Sequence, residues 1–173
     1  PDHLAYAYEV GVEDEPGKVF QYNNVNSMLM GEILKGATGK TAKQLIEERL
    51  FSKIGLKNYT AWEDKAGNTL TYCCLDMSAR DYSRFGILFS RDGNWNGEQV
   101  ISKNYVDESL KLYWGSTPSM GWMHSDTRGY SLQWWISKYD DEAKIYNTSG
   151  KFGQFVFIDK ERDIIFTRIT KYR

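Results

Sequence analysis

The sequence predicts an α+β fold: helices first, then an antiparallel sheet of about three strands, all as one interdependent unit. In the first two thirds of the chain, apolar residues recur at helical spacing behind capping signatures. The last third runs as short apolar segments broken by turn residues, the pattern of sequential strands joined by tight turns. Those late segments are also apolar at successive positions, Phe155 and Phe157 against Val156 and Ile158, so both sheet faces are expected to lie under other layers.

Residues 1–21 read as a lead-in. Leu4 to Tyr8 and Val10 to Val12 are expected to pack as short irregular or extended pieces. Glu15-Pro16-Gly17-Lys18 is a turn, because Pro presets φ and Gly accepts φ > 0. Val19-Phe20 is short and extended. Asn24 or Asn26 then serves as N-cap for a helix over residues 25–36. Val25, Met28, Leu29, Ile33 and Leu34 give its apolar stripe, and Gly36 is a natural residue for its end. Thr41 and Gln44 form a capping box for a second helix running to about Phe51, closed by Gly55-Leu56. Gly67-Asn68 is a turn, and Thr71 to Leu75 is expected to be extended.

Ser78, followed at i+3 by Asp81, opens a third helix with Tyr82, Phe85, Leu88 and Phe89 on its stripe. Gly86 is expected to let another backbone approach. Asp92 to Gly97 is a double turn, Gln99-Val100-Ile101 is extended, and Ser102 caps a helix holding Tyr105, Val106 and Leu110. Residues 1–112 are therefore mainly helical, and residues 113–173 are loop and strands. The long irregular stretch 113–130 carries Tyr113, Trp114, Trp122 and Tyr130. Loops of that length are often functional, and its aromatics suit pocket lining and sheet packing equally. Strand segments follow over residues 131–137, 144–147, 154–159 and 164–169, with turns at Asp140-Asp141-Glu142 and Lys160-Glu161-Arg162.

Composition removes several function classes. The chain has 173 residues, 41% hydrophobic and 15% aromatic, enough for a core. Its 22 basic and 23 acidic residues nearly cancel, so no basic excess is available to neutralise nucleic-acid phosphates. No apolar run has the length of a membrane-spanning helix. The opening Pro1-Asp2-His3 is polar with no apolar core behind it, so no leader is read there, and trimming from a longer precursor stays open. His3 and His124 are far apart, with no ligand spacing around them, so neither a metal site nor a cofactor is expected. Cys73 and Cys74 are adjacent, and sequence neighbours do not readily close an ordinary disulfide. Packing in the core or on a strand is their expected use. Gly39-Lys40-Thr41 imitates the end of a phosphate-binding loop, but Leu34 stands where that motif needs Gly, and the segment joins helix to helix.

The organising stretch is Tyr22-Asn23-Asn24, a Tyr-x-Asn at the mouth of the first long helix. By itself it reads as a loop with a cap residue. With Pro16 to Asn24, the helix pair through Ile54-Gly55-Leu56, and Cys73-Cys74-Leu75 leading into Ser78 to Gly86, it resembles the serine β-lactamase and penicillin-binding-protein family. The resemblance is to the class C-like, 6-aminohexanoate-dimer-hydrolase-like branch of esterases and amidases. It implies a β-lactamase-like α/β sandwich and acyl transfer through a Ser nucleophile in Ser-x-x-Lys, helped by Tyr-x-Asn and a third motif of the Lys-Thr-Gly type.

Carried over, Tyr22 is the general base or proton shuttle, and Asn24 holds the Lys and the substrate carbonyl. A free Tyr has a pKa near ~10, so a base at neutral pH needs a shift of roughly three units, which nearby ammonium groups supply. Thr148-Ser149-Gly150, followed by Gly153-Gln154, is the best fit to the third motif. Ser149 takes its hydroxyl role, and Gly150 lets the substrate backbone lie close. Lys-Thr-Gly itself is absent, which favours ester, amide or peptide bonds over β-lactam carboxylate recognition. A Gly-rich strand entry with no such role is an equal reading of these residues.

No Ser in the chain has a Lys at i+3. The resemblance therefore implies the later part of a family member, inactive alone. Its partners would be a small-molecule ester or amide and the missing N-terminal part of the same protein. An exposed sheet edge also invites self-association. The alternative is a non-catalytic relative whose aromatic surface binds peptidoglycan, sugar or peptide. The resemblance suggests a periplasmic or secreted location and leaves the cytoplasm open.

Overall fold

Among the described residues, a side-chain cap sets the start of every α-helix. The computed structural model describes residues 1–115, 127–137 and 145–170, which divide into two compact units, Pro1–Met77 and Ser78–Arg173.

In the first unit, Asp2 Oδ1 accepts from the Ala5 N–H at 2.9 Å and opens α1 (His3–Glu9). Residues expected as irregular or extended pieces are thus helical, because Asp2 satisfies an otherwise orphan donor of the first turn. The Pro16-Gly17 turn forms as expected, with Lys18 N–H donating to Glu15 O at 3.1 Å and Gly17 at φ 81°. Helix α2 spans Asn24–Thr38, and its cap is Asn23 rather than Asn24 or Asn26. It runs through Gly36 and ends at Gly39, whose φ of 70° places it in the left-handed region that stops a helix. Its stripe is shorter than expected. Met28 is buried, but Ile33 is 61% exposed.

Thr41 and Gln44 make the full capping box of α3 (Ala42–Ile46), which continues as a wider π turn over Glu47–Phe51. Leu45, Phe51, Ile54 and Leu56 are buried, and Phe51 meets Tyr59 edge-on at 4.6 Å.

A short ladder, β1 (Tyr59–Ala61) with β2 (Leu75–Met77), completes this unit. Gly67-Asn68 turns the chain within it, with Gly67 at φ 86°. Thr71 to Cys73 are turn rather than strand, and Cys73 and Cys74 form a disulfide with each other. The expectation that sequence neighbours do not readily bridge is thus overturned, although in an extended strand successive side chains would point to opposite faces. Here Cys74 has φ 70°, and the backbone reverses so that both sulfurs meet.

The second unit is helices on a sheet. Ser78 Oγ accepts from the Asp81 N–H at 3.1 Å and caps α4 (Ala79–Ser90). The double turn forms the hairpin β3 (Asn94–Trp95) and β4 (Glu98–Gln99), with Asp92 and Asn96 both at positive φ. Ser102 caps α5 (Lys103–Ser109). The antiparallel sheet is larger than the expected three strands. Its six strands run in the order β10-β9-β8-β7-β6-β5: β5 (Trp114–Gly115), β6 (Thr127–Tyr130), β7 (Trp135–Ser137), β8 (Ile145–Ser149), β9 (Phe155–Asp159) and β10 (Ile164–Arg168). The extra strands come from both ends of the stretch read as an irregular loop. Residues 116–126 and the Asp140-Asp141-Glu142 turn lie outside the described residues.

Along β9 the alternation is plain. Val156 and Ile158 are 1% and 0% exposed and pack with Phe89, Val106, Leu110 and Trp134. Burying each such side chain contributes about 1.5–3 kcal/mol. Phe155 and Phe157 take the opposite face and pair with each other, and Phe157 also meets Phe166, which is 55% exposed. Gly86 admits side chains of the sheet rather than a backbone: a Cβ there would lie 2.9 Å from both Ile165 Cγ2 and Val156 Cγ1.

Candidate functional site

The head of α2 is built by two consecutive asparagines with different tasks. Asn23 sits in extended backbone, and its Oδ1 accepts from Val25 N–H at 2.6 Å and Asn26 N–H at 3.4 Å. This fixes Asn24 as the first helical residue, with an exposed side chain, and leaves Tyr22 just ahead of the cap. The Tyr-x-Asn spacing therefore works as residue, cap, residue, and the middle Asn orients its neighbours. The helix is held one turn further on by Thr71, whose hydroxyl donates to Ser27 O at 2.6 Å. Gly31 makes that approach possible, since a Cβ there would stand 2.9 Å from Thr71 Cγ2.

Electrostatics at Tyr22 run opposite to a ready base. Burial raises its phenol above the ordinary value, because the phenolate loses hydration there. Tyr22 in this setting holds its proton, and lowering its pKa takes a cation beside it or a hydrogen bond donated to the phenolate.

Ser149 and Gly150 lie at the end of β8, where Ser149 stands opposite Phe155. The β8–β9 tip is closed tightly. Gly150 N–H donates to Gln154 O at 2.8 Å, and Gly153 N–H donates to Gly150 O at 3.0 Å. Gln154 Oε1 accepts from Phe152 N–H at 3.2 Å and also lies against Gly150, 2.4 Å from where a Cβ would be. What lies over Gly150 is the side chain of Gln154, which a Cβ at this point would push aside. Tyr22 and Asn24 come together at one helix start, and Ser149 and Gly150 at one hairpin tip. The two pairs belong to different compact units.

Sequence reasoning missed Thr71, whose part in placing α2 leaves no local signature. It also missed the Cys73–Cys74 bond, for which adjacency was the available signal.

The family model for Beta-lactamase matches residues 1–172. The chain belongs to the beta-lactamase family. Its fold is that family's mixture of helices and antiparallel sheet. Among solved structures, it is similar to a protein designated a 6-aminohexanoate-dimer hydrolase from Bacillus anthracis, with TM-score 0.78 and 26% identity, over 91% of this chain and 39% of that one. A protein designated a beta-lactamase from Bacteroides dorei DSM 17855 matches with TM-score 0.74 and 19% identity, over 97% of this chain and 57% of that one. The octameric penicillin-binding protein homologue from Pyrococcus abyssi matches with TM-score 0.74 and 18% identity, over 94% and 41%. At those lower identities the likeness is one of fold. The chain thus spans between 39% and 57% of the length of these three proteins. No curated protein matches it significantly. Among the described residues, no helix is long and apolar enough to cross a membrane.

Proposed function

We propose that these 173 residues are the Tyr-x-Asn-bearing portion of a serine hydrolase that cleaves ester or amide bonds of small molecules through an acyl-enzyme. In this reading they form one partial β-lactamase-like domain. The nucleophilic Ser and its Lys come from a Ser-x-x-Lys segment outside this sequence, and the isolated chain is inactive. Tyr22 moves the nucleophile's proton, and Asn24 hydrogen-bonds the Lys and the substrate carbonyl. Ser149 supplies the hydroxyl of the third motif, and Gly150 shapes the strand end beside it.

The observation that carries this reading is the arrangement at α2, in a chain of the beta-lactamase family. Asn23 caps the helix and so presents Tyr22 and Asn24 together. The raised Tyr22 pKa works against a base on its own, so this reading needs the lysine that the Ser-x-x-Lys segment would bring. A phenol made more basic by burial becomes a usable base once a lysine ammonium stands next to it, because the nearby positive charge favours the phenolate.

The test is hydrolysis of a chromogenic short-chain ester and of a chromogenic cephalosporin. It compares the chain alone with the chain joined to its parent's Ser-x-x-Lys segment. Activity only in the joined protein, lost in Tyr22→Phe, supports the reading. Activity in the chain alone overturns it, and so does a joined protein that is inactive on an ester and amide panel.

A further inference from the structure

The Cys73–Cys74 disulfide sits where the first unit ties its parts together. Just ahead of it, the Thr71 hydroxyl donates to Ser27 O at 2.6 Å and faces Met28 O at 3.4 Å, and so holds the first turns of α2. Between them, the Tyr72 hydroxyl meets His3 Nδ1 at 2.8 Å and holds α1. At its end, Cys74 O accepts the Trp62 N–H at 3.0 Å beside the β1–β2 ladder. Cys74 carries this turn at φ 70°, a left-handed conformation that non-glycine residues seldom adopt unless something holds them there. The bond between neighbouring side chains closes a small ring around that peptide and restricts it. Cys73 is exposed, so one sulfur is open to an attacking thiolate, while Cys74 is partly buried.

We infer that Cys73–Cys74 is a dithiol–disulfide exchange site whose oxidation state controls how firmly the Thr71 turn holds the head of α2. The reductant is a dithiol. Its thiolate attacks the Cys73 sulfur, the Cys73–Cys74 bond breaks, and Cys74 leaves as a thiolate that takes up a proton. The reductant's second thiolate then attacks the mixed disulfide and releases Cys73, which is protonated in turn. Two electrons pass to the protein, which ends with two thiols, and the reductant ends as its own cyclic disulfide. Reduced, Cys74 is no longer held at positive φ. The turn relaxes, and the Thr71 and Tyr72 bonds to α2 and α1 weaken. Tyr22 and Asn24 lie at the end of α2 that this turn secures, so the site's order follows the redox state.

Amide hydrogen exchange over residues 22–31 tests this, in the chain as it stands, before and after reduction with dithiothreitol. Alkylation under denaturing conditions counts thiols alongside. The oxidised protein should show no free thiol, and the reduced protein should show both. Exchange protection at the head of α2 should fall on the order of tenfold on reduction, the size of a weakened local opening. Cys73→Ser/Cys74→Ser should behave as the reduced form and ignore the reductant. Cys73→Ser/Cys74→Gly should regain most of the protection, because glycine takes the left-handed conformation without a ring to hold it. Two free thiols in the protein as isolated in air would overturn the inference, as would equal protection in the two redox states. The wild-type comparison decides even if the double-serine variant does not fold. This readout needs no turnover, so it stands or falls apart from the hydrolase reading.

Discussion

Helix α4 lies on its sheet against Val156 and Ile158, which are 1% and 0% exposed, while α2 is the longer helix and leaves Met30 51% and Ile33 61% exposed. In residues 78–170 the helices pack on the sheet through a continuous apolar core. In residues 1–77 the helices are set by polar devices: the Asp2, Asn23 and Thr41 caps, the Thr71 hydroxyl on Ser27 O, and Asp64, which gathers the His3 N–H and the Asn68 side chain. The difference teaches where each unit is vulnerable. Truncating an apolar side chain should hurt the sheet unit most. Removing one donor or acceptor should hurt the helical unit most, because each serves a junction rather than a layer.

The largest effect should come from the sheet core. Ile158→Ala should cost about 3 kcal/mol by urea unfolding, from lost burial plus the cavity left behind. Met28→Ala should cost less, because its surroundings are less closed. The reverse order would break the comparison.

Two glycine substitutions sharpen it. Gly86→Ala places a methyl 2.9 Å from Ile165 and Val156, which are fixed in the core, and should destabilise by about 1–2 kcal/mol despite the better helix propensity. Gly31→Ala meets only the Thr71 side chain, which can turn away. Its propensity gain of about 1 kcal/mol should roughly cancel the lost hydrogen bond, leaving stability nearly unchanged.

Caps come next. Asn23→Ala should cost about 1–2 kcal/mol, and Ser78→Ala only about 0.5–1 kcal/mol because α4 is also held by its apolar core. Of the two, only Asn23→Ala should shift the Tyr22 ring resonances, because only that cap sits at the head of α2 beside Tyr22.

Acid should act through Asp64. Burial pushes its carboxyl up, but hydrogen bonds from the Asn68 side chain and from the Asn68, His3 and Ala66 N–H groups outweigh it and hold the carboxyl well below the usual range. A carboxylate with a depressed folded pKa adds stability above the unfolded value of about 4, and loses it as pH falls from there toward the folded value. Asp64→Asn should flatten the loss of stability between about pH 4 and pH 2. An unchanged acid limb would place the sensitive carboxylate elsewhere. The smallest effect is spectroscopic. The absorbance titration of wild type minus Tyr22→Phe should give a phenol titrating above about pH 10, and titration below that pH would break the burial account.

The boundaries written by a local device were legible in the residues. The Thr41–Gln44 box, the Ser78 and Ser102 caps and the Pro16-Gly17 turn each involve groups within a few residues, and all form as read. The Asp2 cap was equally local but was hidden by a lead-in without clear periodicity. The stripe on α2 was read too long because periodicity marks which residues share a face, not whether anything covers that face. The same limit hid the six-stranded sheet. A strand as short as Trp114–Gly115 has no period of its own and exists through its partner Gly129-Tyr130.

Tyr22-x-Asn24 and the beta-lactamase family were determined by the sequence alone, since the motif and the run of matches are strings of residues. So was the absence of a Ser-x-x-Lys within these residues. Only the tertiary structure decided that Asn23 is the cap, that Gln154 covers Gly150, that Thr71 fastens α2, and that Cys73 and Cys74 are joined. Each of these depends on a backbone direction or on a partner brought near by the fold. A sequence records which groups are available to bond; the path of the chain determines which of them meet.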